Sequence, residues 1–300
     1  MIDKSTRIKI AIQKSGRLTD HSLDLLQRCG LKYTRARDQL ICFGENMPLD
    51  ILLVRDDDIP ALVRDDVCDL GIVGRNIVEE SRLGFDGVGG REPFTILRGL
   101  DYGHCRLAFG YPEDGPVQSA TALGGRRIAT SYPNVVGHYL ATHDIAAEVV
   151  EFSGAVEIAP SLGRADVICD LVSTGSTMAA HKIREGEIIL ESEAVILRTP
   201  VEIPAGKQAW IDRLLQRIEG VMQVRESKYI MMHAPKSALA LISELLPGSE
   251  APTVLPLEGR DDKVAVHVVC RETVFWETLE NLKAAGASSV LVVPVEKMLP

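Results

Sequence analysis

Apolar positions in the first two-thirds of the chain alternate between two patterns. Short β-branched runs at residues 7–13, 50–54, 70–73, 105–111, 127–131, 148–152 and 167–172 predict strands. Between them, residues 18–29 carry apolar side chains at helical spacing, with Gly30 placed as a C-terminal stop. Residues 59–64 and 135–143 read as further helices. Short strands alternating with helices predict an α/β fold with mainly parallel sheets.

A fresh unit starts near residue 100, where Asp101 and Gly103 precede a new strand. Residues 187–199 then read as long extended chain and 207–225 as an amphipathic helix. This return predicts two lobes with a cleft between them: residues 1–99 with 184–224, and residues 100–183. The last 75 residues change rhythm. Strands at 227–234, 253–257, 264–271 and 288–294, with helices at 237–246 and 274–285, spell β-α-β-β-α-β. That order predicts a separate ferredoxin-like domain over 225–300.

Composition narrows the chemistry. Of 300 residues, 46% are hydrophobic and 25% charged, an ordinary globular balance. The net charge of -9 argues against a nucleic-acid partner, which needs a basic face. The six cysteines form no C-x-x-C pair, so buried thiols are expected instead of a zinc or disulfide framework. His138 and His143 lack a third ligand and read as structural. The first twelve residues lack a signal peptide's apolar core, and no run approaches the roughly 18 residues of a membrane span. A cytoplasmic chain without a membrane partner is expected.

The segment with the most chemistry runs from Asp166 to Thr177. An apolar strand reaches Asp170, then Ser173, Thr174, Gly175, Ser176 and Thr177 lead into a helix. Hydroxyls and backbone N–H groups at a helix start suit a phosphate monoester. Gly175 permits close backbone approach. Asp170 stands where sugar hydroxyls would donate to it. The competing reading is a plain strand–turn–helix connection with a serine cap. The segment fits neither the P-loop nor the dinucleotide fingerprint.

Here the chain resembles a known family. Glu157, Gly163, Ala165, Asp166, Ile168, Asp170, Leu171, Thr174, Gly175, Thr177 and Met178 match the ATP phosphoribosyltransferase signature in order and spacing. Gln13 to Leu18, Arg55 to Pro60, Asp69 to Gly74, Arg127 to Tyr132, Glu226 to Pro235 and Gly286 to Ser289 resemble further blocks of the long form. The resemblance runs from about residue 7 to the C-terminus. Residues 83–97 and 112–123 depart from it most.

The resemblance implies a two-lobed core similar to type II periplasmic binding proteins, with a C-terminal ferredoxin-like, ACT-like regulatory domain. It implies transfer of phosphoribosyl from phosphoribosyl pyrophosphate to N1 of the ATP adenine, the first step of histidine biosynthesis. Magnesium would be the cofactor, histidine the inhibitor, and a homo-oligomer, dimer or hexamer, the working form. Thr174 to Thr177 would hold the 5-phosphate, with Ser173 beside them, and Asp170 the ribose hydroxyls. Arg55 would meet pyrophosphate, its planar fork matching phosphate oxygens. Gln13, Lys14, Gly16 and Arg17 form a second phosphate loop, and Asp69 and Gly71 would line the same cleft. Tyr132 would pack near base or ribose, and Glu157 would contact ribose or organise the loop. His233, Ser249, Ala251, Thr253 and Ser289 would surround the inhibitor.

Each assignment has a rival. Arg55 and the aspartates after it could be a surface ion-pair cluster, and Lys14 and Arg17 solvated loop charges. Tyr132 could be a half-buried aromatic, Glu157 a helix-start acid and His233 a structural histidine. No obligatory general base stands out, and none is required for a neutral adenine nitrogen. A two-lobed binding protein for a small anion or amino acid, or a transferase acting on another base, are the rival functions.

Overall fold

The computed structural model describes residues 7–35, 39–85, 92–115, 117, 119–223, 227–246, 251–271, 276–296 and 298. Ser249, residues 225–226 and the predicted helix start at 274–275 lie outside the described residues. The chain divides into two compact units. The first holds residues up to Asp24 and Leu31–Ile211, the second Leu25–Gly30 and Asp212–Pro300.

In the first unit, lobe I is built on a six-stranded sheet. Its strands are β1 (Ile8–Gln13), β2 (Ile41–Phe43), β3 (Leu49–Val54), β4 (Leu70–Gly74), β5 (Thr95–Gly99) and β11 (Ala194–Arg198). Their order is β2-β3-β1-β4-β11-β5. Strands β1, β3 and β4 run parallel, and β2 and β11 antiparallel to their neighbours. Its helices are α2 (Ile59–Arg64) and α3 (Arg75–Leu83), while α1 (Thr19–Arg28) starts in this unit and has its residues from Leu25 onward in the second. Ile59 and Val63 of α2 bury themselves against Ala11, Val73, Val195 and Leu197 of the sheet. Each such aliphatic side chain gains about 1.5–3 kcal/mol on leaving water.

Lobe II carries a five-stranded sheet of β6 (Cys105–Pro112), β7 (Arg127–Thr130), β8 (Glu148–Glu151), β9 (Val167–Val172) and β10 (Ile183–Ser192), in the order β10-β6-β9-β7-β8. Helices α4 (Pro133–Thr142) and α5 (Ser176–Ala180) complete it. Alternation along β9 explains the layering. Val167 and Cys169 enter the core that contains Val135, Val136 and Leu140 of α4, while Ile168 and Val172 face Met178 of α5.

Two expectations are corrected. The return to lobe I comes at residues 192–194, not at 184, because β10 pairs antiparallel with β6 along its length. The sheets are also mixed: the parallel centres are joined by antiparallel strands at 41–43 and 183–198. Short strands at 41–43 and 95–99 carry no clear alternation and were not evident from the apolar pattern.

Helix α6 (Ala205–Gln223) precedes the C-terminal domain. That domain contains β12 (Ser227–Pro235), α7 (Leu239–Leu245), β13 (Thr253–Leu257), β14 (Arg260–Arg271), α8 (Trp276–Ala284) and β15 (Ser288–Pro294), with sheet order β13-β14-β12-β15. This is the ferredoxin-like βαββαβ arrangement expected from the pattern. Ile230, Met232, Ala234, Val264, Val266 and Val268 form its core with Ile242 and Leu282 of the two helices.

Candidate active site

Parallel strands in lobe I deliver two loops to the same end of the sheet. Gln13 closes β1 and is in register with Val54, which closes β3. Lys14 N–H donates to the Val54 carbonyl at 2.7 Å. The Gln13 side chain organises the loop: its amide donates to Asp56 at 3.0 Å and accepts from the Leu18 N–H at 3.3 Å. Gly16 has φ +134, and a Cβ there would lie 2.5 Å from the Gln13 amide nitrogen. The backbone conformation there favours glycine. Lys14, Arg17 and Arg55 remain exposed. Among the described residues, no ion pair joins Arg55 to the aspartates that follow it. Asp57, pushed up by burial and then by Asp56, carries a carboxyl above its ordinary range.

In lobe II, β9 leads through Ser173 and Thr174 to Gly175, whose φ is +80, and α5 starts at Ser176. No side chain caps the first N–H groups of α5. The Thr174 and Ser176 hydroxyls lie 3.0 Å apart. Asp170 is raised above an ordinary carboxylate by burial, against a hydrogen bond from Leu171 N–H, with Glu157 adding a smaller upward push. Glu157 follows β8 in the 3-10 turn Val156–Ile158.

The two loop systems meet. The Arg17 guanidinium donates to the Ser173 hydroxyl. Arg106 also reaches this turn, donating to the Ser173 carbonyl at 3.3 Å while paired with Glu185. A separate cleft of about 870 Å³ is lined by Arg55, Asp56, Asp57, Glu80, Ser131 and Tyr132, among others. Residues 174–177 are not in its lining. Ser173 instead borders a depression of about 750 Å³ with Arg75 and Arg106, and Glu157 one of about 430 Å³ with Arg127 and Lys182.

Two assignments are corrected. Asp69 lies at the opening end of β4, away from the loops, and is 7% exposed. Its carboxylate accepts from Lys9 N–H at 2.8 Å and Lys207 Nζ at 2.9 Å. It anchors strand and helix instead of lining the cleft. Gly71 is buried within β4, where a Cβ would lie 2.6 Å from Ile59 and 3.0 Å from Val63. Its role is to let α2 sit close on the sheet.

The family model described as HisG, ATP phosphoribosyltransferase, matches residues 55–220, more than half of the chain. The chain belongs to the ATP phosphoribosyltransferase family. The model of the HisG C-terminal domain matches residues 225–297. An ATP phosphoribosyltransferase is a transferase of histidine biosynthesis, and this chain is such an enzyme. Among solved structures, the ATP phosphoribosyl transferase (HisG:HisZ) complex from Thermotoga maritima is similar at 23% identity and TM-score 0.58, covering 71% of this chain and 98% of that one. An amino-acid ABC transporter substrate-binding protein aligns at 12% identity and TM-score 0.45, over 72% of this chain and 93% of its own. An arginine-bound ArgBP mutant from T. maritima aligns at 11% and 0.45, over 72% and 95%.

In the C-terminal domain of this ATP phosphoribosyltransferase, side chains alternate between the helix-covered core and the opposite sheet face. His233 pairs with Ala265, and Thr253 with His267, so both belong to that opposite face. Ser289 is the second residue of β15, with φ +53, and Ala251 is exposed ahead of β13. The sequence did not single out Tyr229, whose hydroxyl lies 2.7 Å from His267 Nδ1 on the same face. It also missed Asn76 and Glu80, which join the lobes. Their partners lie more than 50 positions away along the chain, so no local pattern marks them.

Proposed function

We propose that the enzyme transfers the 5-phosphoribosyl group of phosphoribosyl pyrophosphate to N1 of ATP, giving phosphoribosyl-ATP and pyrophosphate. The bond from the ribose anomeric carbon to the pyrophosphate oxygen breaks as the carbon–nitrogen bond forms. Positive charge develops on the ribose, and negative charge on the leaving group. The protein's work is positioning and charge stabilisation. The observation carrying the reading is the Arg17–Ser173 hydrogen bond, which joins a basic loop to a hydroxyl-rich, glycine-hinged turn.

In this reading Thr174 to Thr177 hold the 5-phosphate, Asp170 accepts from ribose hydroxyls, and Arg55 with Lys14 and Arg17 faces pyrophosphate. Magnesium neutralises the pyrophosphate. Among the described residues no group of three His, Cys, Asp or Glu side chains could hold a metal ion. In this reading the ion is carried mainly by substrate oxygens and water; the carboxylates lining the cleft are Asp56, Asp57, Glu80 and Glu151. We further propose that histidine binds the C-terminal domain and inhibits, and that the enzyme works as a homo-oligomer.

The test is the absorbance of phosphoribosyl-ATP when the full chain meets ATP, phosphoribosyl pyrophosphate and magnesium, with pyrophosphate continuously removed. Product that histidine suppresses is expected. Product insensitive to histidine removes the regulatory claim. No product from folded protein removes the reaction and favours a binding protein.

A further inference from the structure

Asn76 and Glu80 stand one turn apart on α3 of lobe I, and both reach into lobe II. Asn76 is 6% exposed, Ser192 5% and Tyr132 7%. The Asn76 backbone N–H donates to Ser192 Oγ at 3.0 Å. The Ser192 hydroxyl donates to Asn76 Oδ1 at 2.8 Å, and Asn76 Nδ2 donates to the Tyr132 hydroxyl at 2.9 Å.

These directions follow from the donor inventory. The Ser192 oxygen already accepts from a backbone N–H, and its own hydrogen needs an acceptor. The carbonyl side of the Asn76 amide therefore faces Ser192 and its NH2 faces Tyr132. The Tyr132 oxygen accepts from Asn76 and keeps its hydrogen for another partner. Burial pushes the Tyr132 hydroxyl well above the ordinary tyrosine range, so that hydrogen stays in place at neutral pH. Tyr132 lines the cleft and immediately precedes α4. Glu80 fixes the same turn, because its two carboxylate oxygens accept from Asn134 N–H and Val135 N–H, each at 2.9 Å.

We infer that Asn76 is a positioning residue that turns the Tyr132 hydroxyl into a hydrogen-bond donor toward the nucleotide substrate in the cleft, with Glu80 holding the turn that carries it. The inference rests on the proposed reaction, since it assigns the donor to that reaction's substrate. Replacing Asn76 by aspartate preserves shape and the acceptor for Ser192. It presents a second acceptor to Tyr132, captures the tyrosine hydrogen and turns the donor away from the cleft.

Steady-state kinetics on the full chain test this with Tyr132→Phe, Asn76→Asp, Asn76→Ala and the Asn76→Ala/Tyr132→Phe double variant. Loss of one substrate hydrogen bond lowers kcat/KM about tenfold in Tyr132→Phe. Asn76→Asp and Asn76→Ala are expected to lose a similar factor, and the double variant no more than Tyr132→Phe alone. Full wild-type kcat/KM in Tyr132→Phe overturns the inference. So do losses that multiply in the double variant, because Asn76 would then act elsewhere than through the hydroxyl. Should Asn76→Asp fail to fold, the alanine and phenylalanine pair completes the same cycle. Absence of turnover in the wild-type enzyme is a separate failure, that of the reaction itself.

Discussion

The opening and closing ends of the parallel strands carry the same residue types in opposite circumstances. At the opening ends, charge is paired. Arg7 Nε donates to Asp50 at 2.8 Å, Lys207 to Asp69 at 2.9 Å, and Arg127 to Asp166 at 3.2 Å. At the closing ends, Lys14, Arg17 and Arg55 are exposed, and Asp170 is half-buried and repelled by the Glu157 carboxylate. Hydrogen bonds from the Arg127 backbone N–H and then from its guanidinium lower Asp166 below the ordinary carboxylate range, while burial raises Asp170. The lesson is that a charged residue's type says little about its task. Its partners decide whether it braces the fold or waits for a ligand.

Substitutions at the two ends break or sharpen this contrast. The largest effect is expected from Arg55→Ala: kcat/KM falls about 10²–10³-fold, the cost of one charge-stabilising donor. Its unfolding free energy stays within about 0.5 kcal/mol of wild type, as for an exposed side chain. Asp69→Asn should do the reverse. It leaves Lys207 poorly compensated and costs about 2–3 kcal/mol in denaturant unfolding, with kcat/KM nearly unchanged. A large activity loss in Asp69→Asn without destabilisation would return it to the site.

Asp166→Asn is a gentler version, since the pair is partly exposed, and should cost about 0.5–1 kcal/mol. A depressed carboxyl contributes stability above its unfolded pKa and loses it as pH falls through its folded pKa. The deficit of Asp166→Asn should therefore vanish in acid urea titrations. The smallest effect concerns Asp170, whose ionised form accepts ribose hydroxyls. Activity should fall as pH drops through its raised pKa. Glu157→Gln removes a like charge, lowers the Asp170 pKa and should move the acid limb of the kcat/KM profile to lower pH. An unmoved limb would separate the two carboxylates.

Much of this was legible in the sequence because the signals were local. The break at Gly175 between an apolar strand and a helix needed only neighbouring residues. So did the βαββαβ rhythm after residue 226. The lobe boundary was not legible, because residues 183–192 interleave Arg184, Glu185, Glu187 and Glu191 with apolar positions as either sheet would allow. Asp69 and Arg55 each adjoin a strand, at opposite ends of it. Sequence does not say that Lys207, 138 positions later, folds back on the first. The Asn76–Tyr132–Ser192 network depends likewise on register between distant strands and helices.

The place of β11 has a consequence for the nascent chain. Lobe II is one uninterrupted segment, with all five of its strands between Cys105 and Ser192. Lobe I is interrupted: β11 pairs with β4 on one side and β5 on the other, so β5 has its sheet neighbour only after residue 194 has been made. A chain leaving the ribosome therefore holds every strand of its second lobe before its first can close. Until then the flank of β4 is an open sheet edge in the growing polypeptide, a template for wrong pairing. The late-made strand that completes the catalytic core is also the one that covers it.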